Sequence, residues 1–226
     1  MSPMRLVLAS RSPRRRDLLA RIGLSFDVVE ADVDETLPPG VPLDRAVGEL
    51  ALRKARAVAV RLDRSSSPDS ATAVVLGADT LVVLDGQPFG KPASRADARR
   101  MLRALRGRTH EVLTGVAVLA TAAGHEEVET VQSQVTMRAF DDAALEAYLL
   151  TGEGYDKAGA YALQGVGGRL IRSVDGSATN VIGLPVETAI RLLRRAGLAV
   201  PEPTALPLFP ELRGAAEPSP GSPGPR

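Results

Sequence analysis

The segment Arg5-Leu6-Val7-Leu8-Ala9-Ser10-Arg11-Ser12-Pro13-Arg14-Arg15-Arg16 carries the first decision about the fold. Arg5 to Ala9 is apolar and branched enough for a buried strand. Ser12-Pro13 then opens a helix running to about Gly23, with Ser as N-cap, Pro at the first helical position and Gly near the stop. Arg14 and Arg15 fall in the first turn of that helix, where the macrodipole already presents positive partial charge. Basic residues there cost a few tenths of a kcal/mol unless an anion binds between them and the free N–H groups. Strand, polar turn and helix N-terminus together make a phosphate cradle. A solvated basic turn is the plainer alternative. If the arginines serve an anion, removing either should leave the ligand-free fold as stable as before.

The same alternation continues outward. Phe26 to Val29 is a short strand, and Leu43 to Leu62 a long amphipathic helix followed by a Ser-rich loop, Ser65 to Ala71. Val74 to Ala78 and Leu81 to Leu84 are two strands, the second ending in an Asp85-Gly86 turn. Ser94 caps a helix to Leu105. His110 to Ala120 and Glu127 to Met137 form an antiparallel hairpin through a connection containing Gly124. Asp141 caps a helix to Leu150, Arg169 to Val174 is a strand, and Val186 to Ala196 is the last helix. The fold class is therefore α/β, a mixed sheet with a long antiparallel hairpin. Residues 1–200 make one folded domain. Residues 201–226 hold eight of the 17 prolines and read as a disordered Pro-rich tail.

Composition removes whole classes of function. Lys+Arg of 28 against Asp+Glu of 27 leaves a net charge of +1, so no bulk field draws the chain to nucleic acid or membrane. Zero Cys excludes disulfides, thiolate metal sites and a Cys nucleophile. Two His make a multi-histidine metal site untenable. Aromatics at 3% give no stacking platform for single-stranded nucleic acid. No apolar run reaches the ~20 residues of a membrane span, and Met1 to Arg5 has no signal-peptide character. A cytoplasmic protein is expected.

Several residues sit where a plain fold would not place them. Lys54 occupies the inward stripe Val47, Ala51, Val58, Leu62, either snorkelling out or pointing its ammonium into a cleft. Val74-Val75-Leu76-Gly77-Ala78-Asp79-Thr80 delivers a carboxylate at the carboxyl end of an apolar strand. An Asp there is a turn residue, a metal ligand or a base for water. Lys91, in Gly90-Lys91-Pro92, adds a cation a short hairpin later, and Glu35 adds a loop carboxylate. Residues 156–168 place four glycines over ten positions around Gln164, whose amide can read a nucleobase edge. A glycine loop of this spacing is nonspecific by itself. Together the set suits phosphate-ester chemistry on a nucleotide.

Taken in order, Ala9 to Arg15, the Lys54 helix, Gly77-Ala78-Asp79-Thr80, Gly90-Lys91-Pro92, Asp156 to Tyr161, Gln164-Gly165 and Gly183-Leu184-Pro185 resemble the Maf family of nucleoside triphosphate pyrophosphatases. The resemblance spans Arg5 to Gly197. It implies two lobes around a nucleotide-binding cleft, a homodimer, a divalent cation (Mg²⁺ or Mn²⁺), and cleavage between the α and β phosphates. It further implies Asp79 as proton acceptor, with Ser10, Arg14, Arg15, Lys54 and Lys91 as phosphate-cleft residues. Glu35 would join Asp79 in holding the metal. Arg14, Thr80 and Gln164 match the branch acting on dTTP and UTP rather than the 7-methyl-GTP branch. The house-cleaning of modified pyrimidine triphosphates falls within the same expectation. Three rivals remain: a nucleotide-binding regulator of division that does not turn over, an RNA-binding protein, and a purine-selective pyrophosphatase.

Overall fold

The computed structural model describes residues 4–64 and 73–201. The Ser65–Ala71 loop and the expected tail beyond Pro201 lie outside the described residues. In chain order the elements are β1 (Arg5–Ala9), α1 (Pro13–Arg21), β2 (Asp27–Val28), α2 (Leu43–Arg64), β3 (Ala73–Leu84), β4 (Gln87–Phe89) and α3 (Arg95–Leu105). There follow β5 (Thr109–Ala120), β6 (His125–Met137), α4 (Asp142–Leu150), two 3₁₀ turns (Ala158–Ala160 and Gly165–Leu170), β7 (Ile171–Asp175), α5 (Ala178–Ile182) and α6 (Val186–Arg195).

Among the described residues all seven strands join one mixed sheet in the order β2-β1-β3-β5-β6-β7, with β4 also on β3. β1 pairs parallel with β2 and β3, and every other pairing is antiparallel. The α/β reading and the long hairpin stand. Ser94 and Asp141 cap their helices through Asp97 N–H and Ala144 N–H. Asp85 and Gly86, at φ 51° and 73°, make the left-handed turn that closes the β3–β4 hairpin.

One expectation changes. Val74–Ala78 and Leu81–Leu84 are a single twelve-residue strand, so Asp79 lies in the middle of β3, opposite Gly115, rather than at a strand end. The polar pair Asp79-Thr80 looks like a break in sequence because nothing local satisfies it. In the fold both side chains find partners across the sheet faces, and the ladder runs through.

The crevice exists nonetheless, for a different reason. β1 pairs with Ala73 to Gly77, and β4 with Val82 to Leu84. Residues 78–81 therefore have no strand neighbour on that edge among the described residues. The gap leaves β1 beside one stretch of β3 and β4 beside the other, with β5 paired along both.

Alternation decides which side chain faces which layer. Val75, Leu81 and Val83 point toward α2, whereas Leu76, Ala78 and Val82 join the larger core on the other face. Asp79 thus shares the α2 face, and Thr80 the opposite one. α2 lies almost in backbone contact with the sheet. A Cβ on Gly77 would come within 2.3 Å of Ala51 O, and one on Gly115 within 2.4 Å of Val47 O. Only glycine permits that approach.

Candidate active site

A cleft of about 920 Å³ opens at the gap in β3. Its walls hold Ser10, Arg14, Arg15, Glu35, Lys54, Asp79, Thr80, Lys91 and Gln164, so the fold brings together every residue singled out in sequence.

On the α2 face, Lys54 does not snorkel to solvent. It is buried, and its Nζ stands 2.6 Å from both Asp79 Oδ1 and Glu35 Oε1. The close seating of α2 on Gly77 delivers the ammonium to the carboxylate two residues further along the same strand face. Burial works against the Glu35 carboxylate, but the hydrogen bond and charge of Lys54, with Lys91 at 3.6 Å adding to them, hold its pKa below the usual range. Asp79 Oδ2 makes no hydrogen bond among the described residues. Lys91 is more than half exposed at the cleft rim.

On the opposite face Arg15 has a different role from Arg14. Arg15 is buried and donates to Gly183 O at 2.7 Å, Thr80 Oγ1 at 3.0 Å and Ser10 Oγ at 3.4 Å. Burial pushes its pKa down, with Asp79 opposing that shift and Arg14 adding to it. Such a guanidinium ties Ser10, Thr80 and the Gly183 carbonyl together, which runs against the expectation that neither arginine supports the ligand-free fold. Arg14 reaches across the cleft instead, donating to Asp156 Oδ2 at 3.0 Å.

Ser12 occupies the N-cap of α1, but its side chain makes no capping hydrogen bond and the first turn contains no acidic residue. The N-terminal amides of α1 are left to the cleft, as an anion cradle requires. Gln164 precedes the second 3₁₀ turn, and its amide bonds to nothing within the described residues.

Sequence reasoning missed a polar chain behind Thr80. Thr80 Oγ1 meets Thr114 Oγ1 at 2.9 Å, Thr114 donates to Asn180 O, and the Asn180 amide donates to Val112 O and Ser133 Oγ. α5, which presents Asn180 and the Gly183 carbonyl, was also unforeseen; its five residues carry no periodicity to read. Glu153 and Asp156 stand in the cleft wall too; Asp156 opens the Asp156–Tyr161 motif but was given no role, and Glu153 was signalled only by its nearness to the glycine loop.

For a metal, the candidates are Asp79 and Glu35. No cluster of three or more His, Cys, Asp or Glu of metal-binding geometry occurs among the described residues. Asp79 and Glu35 converge on the Lys54 ammonium, and beyond that pairing they offer carboxylate oxygens of the kind Mg²⁺-type sites use when substrate phosphates complete the shell. The donor set fits a hard divalent cation.

An α/β protein that gathers a basic helix N-terminus, a buried ammonium and two carboxylates at one sheet gap has the groups that suit a phosphorylated ligand. The chain belongs to the Maf family: residues 5–196 match the family model described as Maf-like protein. It is 51% identical over 203 residues, covering 89% of this chain and 98% of the relative, to a dTTP/UTP pyrophosphatase of Anaeromyxobacter dehalogenans (strain 2CP-C). Proteins of the same name from Myxococcus xanthus (strain DK1622) and Moorella thermoacetica (strain ATCC 39073 / JCM 9320) are 47% and 48% identical over 196 residues. They cover 87% of this chain, and 94% and 97% of the relatives.

Proposed function

We propose that this chain hydrolyses dTTP and UTP between the α and β phosphates, giving the monophosphate and pyrophosphate. The observation that carries the reading is the Lys54 ammonium, buried between Asp79 and Glu35 at the sheet gap and flanked by the basic cradle. The names of the relatives supply the substrate class.

Cleavage of a phosphoanhydride needs positioning and charge neutralisation more than covalent chemistry. Ser10, Arg14 and the α1 amides take phosphate oxygens, and Lys91 closes on them from the rim. Arg15 keeps the cradle rigid through Ser10 and Gly183. Lys54 fixes the Asp79 carboxylate toward the gap, where Asp79 orients the attacking water and accepts its proton. Asp79 and Glu35 would hold a divalent cation, which supplies charge neutralisation to the phosphate oxygens. Gln164 reads the base.

The test is pyrophosphate release from dTTP, UTP, CTP, GTP and 7-methyl-GTP, with and without Mg²⁺ or Mn²⁺. dTTP and UTP should lead, and chelation should stop turnover. Asp79→Asn should lose about 10²-fold in kcat while still binding nucleotide. Binding without turnover in the unaltered chain would favour the regulator instead, and near-normal turnover in Asp79→Asn would remove Asp79 from the chemistry.

A further inference from the structure

Four acidic side chains stand in the cleft wall, Glu35, Asp79, Glu153 and Asp156, and Glu153 differs from Asp79 and Glu35 in what its oxygens do. Oε1 accepts the Val166 N–H at 3.1 Å, and Oε2 accepts the Gly167 N–H at 2.7 Å. Both carboxylate oxygens are thus committed to the first turn of the 3₁₀ segment Gly165–Leu170. Glu153 is not placed to hold a metal or take a proton. It acts as a cap supplied from thirteen residues away.

The residue before that turn is Gln164. Several features make the turn stiff. Gly165 has φ 73°, and a Cβ there would fall 2.0 Å from Glu153 Oε1. Gly167 and Gly168 lie so close to the preceding backbone that a Cβ would meet Ala162 O at 2.5 Å and Leu163 O at 2.6 Å. Lys157 pins the other side of Glu153, its Nζ donating to Glu153 O at 2.5 Å. The carboxylate is therefore fixed at both its main chain and its tip. Gln164, free at its own amide, stands on a backbone held immediately downstream by charge-assisted hydrogen bonds.

Resting on the pyrimidine triphosphate reading, we infer that Glu153 is the positioning residue for base selection. Its carboxylate clamps the Gly165–Gly167 turn so that the Gln164 side chain starts from one place and reaches the base edge at one height. Discrimination between uracil and cytosine depends on that fixity. The two bases exchange donor and acceptor at N3 and at the 4-position, and a Gln164 displaced with a loosened turn would lose the short contacts that tell them apart.

The critical variant is Glu153→Gln. It keeps the length and one acceptor but turns an NH₂ toward a backbone N–H, so one of the two clamp bonds is lost. Expected results are a KM for UTP and dTTP raised ~10-fold, kcat changed by less than ~3-fold, and the UTP:CTP preference in kcat/KM reduced ~10-fold. Inorganic tripolyphosphate, a competitive probe of the phosphate cradle alone, should keep its inhibition constant within ~2-fold. A scaffold residue with no part in base reading would instead lower activity on all nucleotides alike and shift tripolyphosphate equally. That outcome overturns the inference, as does an unchanged UTP:CTP ratio or a Glu153→Gln chain that fails to fold. Failure of the parent reading is distinguishable, because it appears in the unaltered chain as no UTP or dTTP turnover.

Discussion

Gly77→Ala perturbs the site without touching any of its chemical groups. The new Cβ would lie 2.3 Å from Ala51 O and 3.1 Å from both Ala55 Cβ and Ala55 N. Ordinary contact is ~3.4 Å or more, so α2 must retreat from β3 by about 1 Å. The obstacle is helix backbone, which cannot rotate aside as a side-chain tip would. Overpacking of this kind costs about 3 kcal/mol, equivalent to a fall in Tm of about 6–12 °C for a domain of this size. Lys54 rides on α2 one turn from the contact, and its ammonium is held at 2.6 Å from Asp79 Oδ1. A displacement of ~1 Å at a reacting group is worth ~10²-fold in rate. The assay pairs thermal unfolding by circular dichroism with kcat/KM for dTTP. Gly90→Ala serves as the stability control, because a Cβ there meets nothing within 4 Å. A Gly77→Ala chain with unchanged Tm and activity within two-fold would refute the reasoning that this glycine seats Lys54.

Arg14→Ala should weaken dTTP binding ~10-fold with Tm within ~2 °C, since the partner it loses is the exposed carboxylate of Asp156. Arg15→Ala should instead lose about 2–4 kcal/mol, because Gly183 O and Thr80 lose a buried charged donor; equal melting temperatures for the two variants would contradict the division of roles. Burial lowers the His110 pKa to about 4, so the unfolded chain takes up a proton first as pH falls. Stability is fully present above pH ~6.5 and lost toward pH 4, by about 3 kcal/mol. His110→Gln, which keeps a partner for Tyr161 OH, should flatten urea midpoints between pH 6.5 and 4.5, and an unchanged slope would count against it. Gln164→Glu should cut kcat/KM for dTTP and UTP ~10-fold and for GTP less; an equal fall on all substrates would show that Gln164 supports its loop rather than reads a base.

Much of this protein was legible in its sequence because the signals were local. The Ser12-Pro13 helix start, the Ser94 and Asp141 caps, the Asp85-Gly86 turn and the alternation of β5 and β6 depend on neighbours within a few residues. The polar residues on apolar patterns, Lys54 and Asp79 above all, also declared themselves as local conflicts. Pairing is another matter. Sequence could not join the two halves of β3 across Asp79-Thr80, since the partners that satisfy those side chains come from α2, α1 and β5. Nor could it separate Arg14 from Arg15, adjacent residues of one basic run. One spans the cleft to Asp156, and the other is buried against Gly183, 168 positions away. The gap at residues 78–81 belongs to neither β1 nor β4 alone but to where each stops along β3. Side-chain type and spacing thus fixed which groups were available for chemistry. Long-range register and the backbone contact of α2 on Gly77 and Gly115 decided where those groups converge, because such distances are set only when the whole sheet is assembled.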